Sequence, residues 1–231
     1  MLLSLLAAML LAACSDEAGW TAEEGTLRVA LADVSDAVQT RSTPSELGAP
    51  ALENFRINIS NTEGRRVYSK PYSTADIHLA AGSYTVEAVY GDNPAIGYDA
   101  PYYTGSASAE VASEGVTEAS IACKVSNALV SVRFGRDDAE RARFEKFYKH
   151  FALQVWNGDK AASITSIQPG RSVYFPAGSS IRLAFTGTLR GNDRVVSTTL
   201  DPSGTGFPSV FQAADHAIVT LSLPDPECVT A

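Results

Sequence analysis

From residue 26 onward, the chain alternates apolar and polar residues in short runs. The pattern is clear at Leu27, Val29 and Leu31. It recurs at residues 55–59, 83–91, 116–125, 128–134, 179–187 and 217–223, with Gly, Pro, Asn and Asp between the runs. A period of two residues is typical of half-buried strands, and many short strands separated by turn residues are typical of a sandwich or barrel. The sequence therefore predicts an all-β protein.

Two parts of the chain follow the same order of elements. Residues 81–83 and 177–179 both read Ala-Gly-Ser, 96 residues apart, and each opens a strand that closes at a glycine. The alternation at Tyr84 is one residue out of phase with that at Ile181, and a shift of one residue exchanges the faces of a sheet. A duplication therefore requires a local bulge or gap. We predict two tandem β-sandwich domains of immunoglobulin or transthyretin type, residues 26–125 and 126–224, followed by a tail at residues 225–231.

One short helix is predicted in the second domain, starting at Asp137 or Asp138. An acidic residue there serves as an N-cap and suits the helix dipole. Aromatic residues follow at helical spacing, namely Phe144, Phe147, Tyr148 and Phe151, with basic residues between them. A basic amphipathic helix could contact a membrane or a partner. We favour the other interpretation, in which the aromatic side chains close the end of the sandwich.

The amino terminus has the features of a secretory signal. Residues 1–13 carry no charge, and Leu11-Ala12-Ala13-Cys14 resembles a bacterial lipobox. The run is shorter than the roughly 20 apolar residues that span a bilayer. We expect residues 1–13 to be a signal peptide, Cys14 to be lipidated and to hold the protein in the membrane, and residues 14–25 to be a tether. Ser15-Asp16-Glu17 resembles the surface-export signal of Bacteroidetes lipoproteins, which predicts the outer membrane and the cell surface; the periplasmic face is the alternative.

Charge and cysteine content narrow the function classes. The net charge of −8 argues against nucleic acid as a partner, because phosphate binding requires clustered Lys and Arg. Besides Cys14, the chain contains Cys123 and Cys228. A disulfide between these two is permitted in an oxidising compartment. We favour Cys123 as a small buried residue, because Cys228 follows a proline-rich stretch.

Signatures of catalysis and of cofactors are missing from the sequence. His78, His150 and His216 stand far apart, and none has a companion at metal-ligand spacing. Nucleophile elbows, phosphate-binding loops and zinc-protease motifs are likewise not found. A pair of carboxylates in a cleft, as glycosidases use, is not ruled out by a sequence with 26 acidic residues. We expect no enzymatic activity, no metal and no cofactor.

Tyrosines are the best candidates for contacts with a ligand or partner. Tyr98, Asp99, Tyr102 and Tyr103 lie close together in the sequence. Aromatic rings stack on the apolar faces of sugars, and an aromatic anchor with a polar rim also suits a protein interface. The alternative is that these tyrosines are structural. Both interpretations stay open at this point.

Four motifs in a fixed order resemble one family. They are residues 25–29, the Ala-Gly-Ser-Tyr-Thr-Val stretch at 81–86, the Pro-Tyr-Tyr-Thr-Gly stretch at 101–105, and Cys123 followed by Asn127. The family is a domain of unknown function, of the 4493 type, found in Bacteroidetes lipoproteins and similar in architecture to fimbrillin-like two-domain surface lipoproteins. Fimbrillins are cut after an arginine in a loop such as residues 34–51, which makes Arg41 a candidate processing site. Cutting there would release the first strand together with the lipid anchor, so we expect Arg41 to stay uncut.

These observations predict a non-catalytic outer-membrane lipoprotein, exposed at the cell surface, that acts as a fimbrillin-like adhesion or assembly module. Surface proteins are then its expected partners. The alternative is a glycan-binding accessory lipoprotein of a polysaccharide-uptake system. A hydrolase is the third hypothesis, and it would require turnover that is lost when one acidic residue is replaced.

Overall fold

The computed structural model of the protein describes residues 23–31, 50–201 and 207–223. The first half contains β1 (Glu24–Leu31), a 3₁₀ helix (Leu52–Asn54), β2 (Arg56–Asn61), β3 (Arg66–Pro71), β4 (Ile77–Ala80), β5 (Gly82–Tyr90), β6 (Gly97–Tyr98), β7 (Tyr103–Val111), β8 (Val116–Ile121) and β9 (Lys124–Val125). The second half contains β10 (Asn127–Phe134), α1 (Asp138–Phe147), β11 (Tyr148–Asn157), β12 (Lys160–Thr165), β13 (Val173–Pro176), β14 (Ile181–Leu189), β15 (Val195–Leu200) and β16 (His216–Leu221). The all-β prediction, with one short α-helix in the second domain, is confirmed.

The first β-sandwich packs a three-stranded sheet, in the order β4-β1-β8, against a five-stranded sheet, in the order β3-β2-β5-β7-β9. Apolar side chains from alternate positions of both sheets form its core, in which Phe55, Ile59 and Ile121 are fully buried. Burying one such side chain stabilises the fold by about 1.5–3 kcal/mol. Burial of the apolar residues at alternate positions therefore supplies most of the hydrophobic stabilisation of this sandwich.

The second β-sandwich packs two four-stranded sheets, in the orders β16-β10-β13-β6 and β12-β11-β14-β15. Its core includes Leu153, Ile164 and Phe175, all fully buried. One strand of this sandwich, β6, comes from the first half of the chain and pairs with β13. The predicted domain boundary between residues 125 and 126 stays a prediction, and β6 crosses it.

The two sandwiches share one pairing scheme, as the internal repeat predicts. Strand β1 pairs antiparallel with β4 and parallel with β8, and β10 pairs in the same way with β13 and β16. Strand β5 lies between β2 and β7, just as β14 lies between β11 and β15. The strands of each half of the chain therefore pair in the same topology.

The apolar alternation of the two repeats differs in phase by one residue, and an inserted residue outside the paired strands accounts for this difference. Ile57 pairs with Ala88 in the first sandwich, and the residue 96 positions after Ile57, Leu153, pairs with Phe185. Phe185 lies 97 positions after Ala88, whereas the preceding glycines, at 82 and 178, are 96 positions apart. One additional residue therefore lies between Gly178 and Leu183, where the chain enters β14. This insertion keeps the apolar residues of both copies facing their cores.

The helix begins as expected and ends earlier. Asp137 is its N-cap and accepts a hydrogen bond from the Glu140 amide at 2.8 Å. The helix stops at Phe147, so the expectation that Tyr148 and Phe151 belong to it is wrong; both lie in β11. Strand pairing with β14 satisfies the backbone there, while Phe151 still reaches the core and lies 5.5 Å from the Phe144 ring. Phe144 and Phe151 close the end of the sandwich, whereas Phe147 is 52% exposed.

Candidate functional site

The loop between β5 and β7 (residues 91–102, called the β5–β7 loop below) carries three of the four residues proposed for ligand contact. Its strand β6 pairs with β13, so Tyr98 and Asp99 reach the second sandwich. The peptide nitrogen of Asp99 donates to the Ser172 carbonyl at 3.0 Å. The loop therefore forms a contact between the two halves of the chain.

Tyr98 joins both sheets of the second sandwich. Its backbone pairs with β13, and its hydroxyl donates to the Ser163 carbonyl (3.1 Å) and accepts from the Ser163 amide (2.7 Å) on the outer strand β12. The guanidinium of Arg171 lies 4.0 Å from the centre of the Tyr98 ring, a cation–π contact. The phenol thus binds backbone groups that an outer strand leaves for solvent.

Asp99 adopts a left-handed backbone conformation, with φ of 46°. This geometry turns its carboxylate toward the segment before β13, where it accepts hydrogen bonds from Arg171 Nε (2.9 Å) and from the Ser172 amide (3.0 Å). Aspartate tolerates this backbone region better than most residues. Tyr98, Asp99 and Arg171 therefore form one cluster whose polar groups bind each other across the two halves.

Asn127 is a junction residue that the sequence pattern did not mark as functional. Its side chain is fully buried, its Oδ1 accepts from the Tyr102 amide (3.2 Å), and its Nδ2 donates to the Ala100 carbonyl (2.9 Å). A buried amide requires such partners. The signal was present in the Cys-x-x-x-Asn motif, where Asn127 is the closing residue.

The remaining two tyrosines have different surroundings. Tyr103 is fully buried in the first core, with its ring against Phe55 and Tyr90, so it is a core residue and not a surface contact. Tyr102 stays partly exposed. Burial raises the pKa of Tyr102, and the nearby carboxylates of Glu87 and Asp92 raise it further. Of the four candidates, Tyr102 is the one whose surroundings suit a polar ligand.

A groove of about 660 Å³ opens along β16 at the side of the second sandwich. Its apolar surface comes from the interior of the sandwich, and its rim carries two acidic side chains. The apolar residues are Leu183, Leu200, Phe207, Pro208, Ala217, Ile218, Val219 and Leu221, and the acidic ones are Asp201 and Asp215. We call this the β16 groove.

In the first sandwich, the strands that correspond to β15 and β16 are β7 and β8, and β8 ends its sheet as β16 does among the described residues. Strands β7 and β8 are connected by a four-residue turn, and β9 pairs with the outer side of β7. In the second sandwich, residues 201–215 separate β15 from β16, and both strands end their sheets among the described residues. Thr198 corresponds by register to Gly105 and points inward, yet it is exposed. Among the described residues, no strand covers the seam between β15 and β16.

Strand β16 ends its sheet, so no described strand pairs with its outer side. Asp215 and Leu221 accept hydrogen bonds from β10 and its extension, at Leu129 and Gly135. In a parallel ladder, alternate residues bond to the same neighbour. The peptide groups of the intervening residues Ile218 and Thr220 therefore point away from β10, toward the groove side. This geometry suits the addition of another strand.

Three kinds of group in the described residues concern catalysis: a serine beside a histidine, side chains that could bind a metal ion, and a free thiol. Ser131 Oγ and His216 Nε2 lie 2.7 Å apart on adjacent strands, which is the geometry of a nucleophile beside a base. Among the described residues, no group of three or more His, Cys, Asp or Glu side chains is placed to hold a metal ion. Cys123 is a free, buried thiol, and burial raises its pKa to about 11, so it is protonated at neutral pH.

Several sequence predictions lie outside the described residues. They concern Cys14, the Ser15-Asp16-Glu17 signal, Arg41 and Cys228. Within the described ranges, no helix has the length and apolarity to cross a bilayer. Lipidation at Cys14 and processing at Arg41 stay predictions.

Residues 23–227 match a family described as a domain of unknown function, DUF4493. The chain belongs to the DUF4493 family. This membership confirms the resemblance carried by the four motifs. Among functionally curated proteins, none matches the DUF4493 chain.

Several solved structures resemble this DUF4493 protein at low sequence identity. A candidate cell adhesion protein from Bacteroides eggerthii has a TM-score of 0.48 and 9% identity, with 90% of this chain and 89% of that chain covered. A fimbrial assembly protein from Parabacteroides distasonis has a TM-score of 0.46 and 11% identity, with coverage of 85% and 90%. A candidate cell adhesion protein from Bacteroides uniformis has a TM-score of 0.47 and 10% identity, with coverage of 89% and 94%.

Proposed function

We propose that this protein is a non-catalytic lipoprotein, anchored to the outer membrane through Cys14 and exposed at the cell surface, where it acts as an adhesion or assembly module. The observation that carries this proposal is the β16 groove, which lies beside a strand that ends its sheet within the described part of the chain. An edge strand beside an exposed apolar groove is a site for contact with another macromolecule.

Protease treatment of intact cells tests the location. We expect the wild-type protein to be digested without lysis, and the Cys14→Ala variant to leave the membrane fraction. Protection of the wild-type protein until lysis would place it in the periplasm and contradict a surface role. Membrane retention of the Cys14→Ala variant would contradict the lipid anchor.

Cross-linking on intact cells tests the assembly role. A photoreactive residue is placed at Ile218, in the groove, and at Val67, which is 41% exposed on the outer strand β3 of the first sandwich. We expect the protein to form a defined cross-linked product with a surface protein. Recovery as a single uncross-linked species from both positions would count against an assembly module.

A glycan-binding role is a second proposal, supported by Tyr102 beside Glu87 and Asp92. Tyr102→Ala is the suitable variant, because Tyr103 is buried and its replacement would disturb the core. We expect Tyr102→Ala to lose binding to a polysaccharide that the wild type binds, without a change in unfolding midpoint. Lack of binding by the wild type across a broad polysaccharide panel would exclude this role.

A further inference from the structure

We propose that β1 is the load-bearing strand of this protein. Tension between the Cys14 anchor and the second sandwich pulls β1 along its own axis, and the hydrogen bonds of β1 to both β4 and β8 resist that pull together. This inference rests on the proposed anchoring and gives the first sandwich a mechanical function. Three features of β1 carry it: the direction of the strand, its register with both neighbours and the placement of its buried side chains.

Tension enters and leaves the first sandwich at opposite ends. The chain that leads to Cys14 joins β1 at Glu24, whose carbonyl accepts from the Glu114 amide (2.9 Å) in the turn between β7 and β8. The other end of β1, Leu31, lies opposite Ile121 at the end of β8, which leads through β9 into the second sandwich. A pull between the anchor and the second sandwich therefore runs along β1 and not across it.

The junction transmits this load whether or not its contacts hold. Strand β6 pairs with β13, and Asn127 bonds to the β5–β7 loop, so the second sandwich pulls on that loop and on β9 together. If those contacts open, the backbone from Val125 to Asn127 still connects the two sandwiches. In both cases β1 is pulled from Glu24 against strands that are held at the junction end.

Both neighbours of β1 resist a pull along its axis. Residues Thr26–Leu31 are in parallel register with β8, and residues Glu24–Leu27 are in antiparallel register with β4. The Thr26 amide donates to the Gly115 carbonyl (2.9 Å), so even-numbered residues of β1 bond to β8 and the odd-numbered ones bond to β4. A pull along the strand strains all of these bonds at once, whereas a pull across it breaks them one after another.

The buried side chains of β1 add a barrier to sliding. Leu27 and Val29 are buried in the core of the first sandwich, whereas Arg28 between them is exposed and pairs with Asp76 at 2.7 Å. A slip of β1 by one residue, about 3.3 Å, would exchange the faces of the strand. Arg28 would then face the core. The nearest register that keeps apolar side chains inside is two residues away, and all the bonds of β1 must break before it is reached.

Single-molecule force spectroscopy with two attachment geometries tests the proposal. Handles are attached through cysteines in the full-length chain, with serine in place of Cys14 and Cys228. The pair Glu24→Cys and Ser120→Cys pulls β1 and β8 from opposite ends, because Ser120 lies opposite Ala30. This is the shear pair.

The matched control is the pair Glu24→Cys and Val116→Cys. Val116 is 58% exposed on the same face of β8 as Ser120 and lies opposite Thr26, so this pair pulls the same two strands apart from one end. We expect the force that unfolds the first sandwich to be at least about twofold higher with the shear pair, because the barrier to unfolding governs forced unfolding. A ratio below this would overturn the proposal.

A proline in β1 tests whether its bonds share the load. By the alternation above, the Ala30 amide donates to β8 at the junction end, and Ala30→Pro removes this donor. We expect the force for the shear pair to fall by at least about 10%, since one of about six bonds is lost. The force for the control pair should stay the same, because those bonds begin to break at the Glu24 end. An equal fall with both pairs would contradict load sharing.

If Ala30→Pro fails to fold, the ratio of forces between the two attachment pairs decides alone. These forces are measured on purified protein and do not depend on its location in the cell. Protection from protease until lysis would contradict the surface role and leave the ratio of forces unchanged. A ratio near one would remove the load-bearing role of β1 and leave the proposed anchoring through Cys14 standing.

Discussion

At the scale of single residues, Tyr98 shows how one residue of β6 can contact both β13 and β12. Its backbone extends the β13 sheet, and its hydroxyl bonds both ways to Ser163 on β12. A ring that the sequence offered for ligand contact is therefore engaged within the protein. Arg171 lies over the Tyr98 ring, and Tyr98 stays 37% exposed.

Removal of the Tyr98 hydroxyl should destabilise the protein measurably. Tyr98→Phe keeps the ring under Arg171 and deletes both hydrogen bonds to Ser163. We expect the free energy of unfolding to fall by about 1–2 kcal/mol, because each such bond contributes about 0.5–1.5 kcal/mol. Urea denaturation measures this loss. Tyr68→Phe is the control, since the Tyr68 ring lies beneath Lys70 and its hydroxyl has no hydrogen-bond partner within the described part of the chain. An equal loss there would contradict the assignment.

Glu140 gives the start of the helix a dependence on pH. Its carboxylate accepts from the Arg136 amide (2.7 Å) and from Arg136 Nε (3.0 Å), and these bonds hold the pKa of Glu140 below its usual value of 4.5. A carboxyl whose pKa is lowered by folding stabilises the protein above its unfolded pKa. That stabilisation is lost as the pH falls through the folded pKa.

We therefore expect Glu140→Gln to be less stable than wild type at pH 7, and the difference to close as the pH falls below about 4.5. Thermal unfolding at a series of pH values measures both curves. Glu145→Gln is the control on the same helix, because the Glu145 carboxylate forms an exposed ion pair with Arg141. A constant gap between wild type and Glu140→Gln at all pH values would contradict this account.

At the scale of elements, the position of α1 against the end of β10 depends on Gly135. This residue has φ of 91°, and a Cβ atom there would lie 2.5 Å from the Arg141 nitrogen. Only glycine fits a close approach of this kind without strain. The helix therefore packs against the end of β10 through a backbone contact.

Gly135→Ala should cost about 2–3 kcal/mol in the free energy of unfolding, because it combines a strained backbone with a steric clash. Gly158→Ala in the β11–β12 turn has a similar positive φ of 61° with nothing within 4 Å of the added atom, so we expect a loss of about 1 kcal/mol there. Chemical denaturation of the two variants compares them. Equal losses would show that the contact with Arg141 is not tight.

The sequence predicted the strands well, because alternation such as Phe55-x-Ile57-x-Ile59 is a local signal that one sheet face makes. It predicted the start of α1 from the acidic cap. It misplaced the end of α1, because Tyr148 and Phe151 fit a helical spacing and a strand alternation equally well. Pairing with β14, which lies far along the chain, decides between them.

Two features of the candidate sites could not be predicted in this way. Strand β6 has only two residues, Gly97 and Tyr98, and its pairing partner belongs to the other sandwich. The β16 groove lies where the two repeats differ, since four residues separate β7 from β8 and fifteen residues separate β15 from β16. Both depend on contacts between distant segments, which a local pattern does not encode.

At the scale of the whole molecule, the junction couples the two sandwiches. Leu129 and Tyr174 are buried there outside both cores, and burial raises the pKa of the Tyr174 phenol, with Tyr103 and Asp99 adding to the effect. Asn127 binds the backbone of the β5–β7 loop at two points. We infer that the sandwiches unfold together.

Calorimetry tests this coupling. The wild-type protein should unfold in one transition, and Asn127→Ala should split it into two, because the buried amide and carbonyl of the loop lose their partners. Asn58→Ala is the control, since Asn58 bonds to Ser69 and Glu87 within the first sandwich. It should lower the single transition without splitting it. Two transitions in the wild type would contradict the coupling.

The thiol of Cys123 can report how often the first sandwich opens. Because the thiol is buried and protonated, an aromatic disulfide reagent reacts with it only when the sandwich opens. In a variant with serine in place of Cys14 and Cys228, the rate of labelling at low denaturant would measure how often the native protein exposes its interior. The same labelling rate, measured with and without a bound partner, would show whether binding elsewhere on the protein slows the opening of the first sandwich.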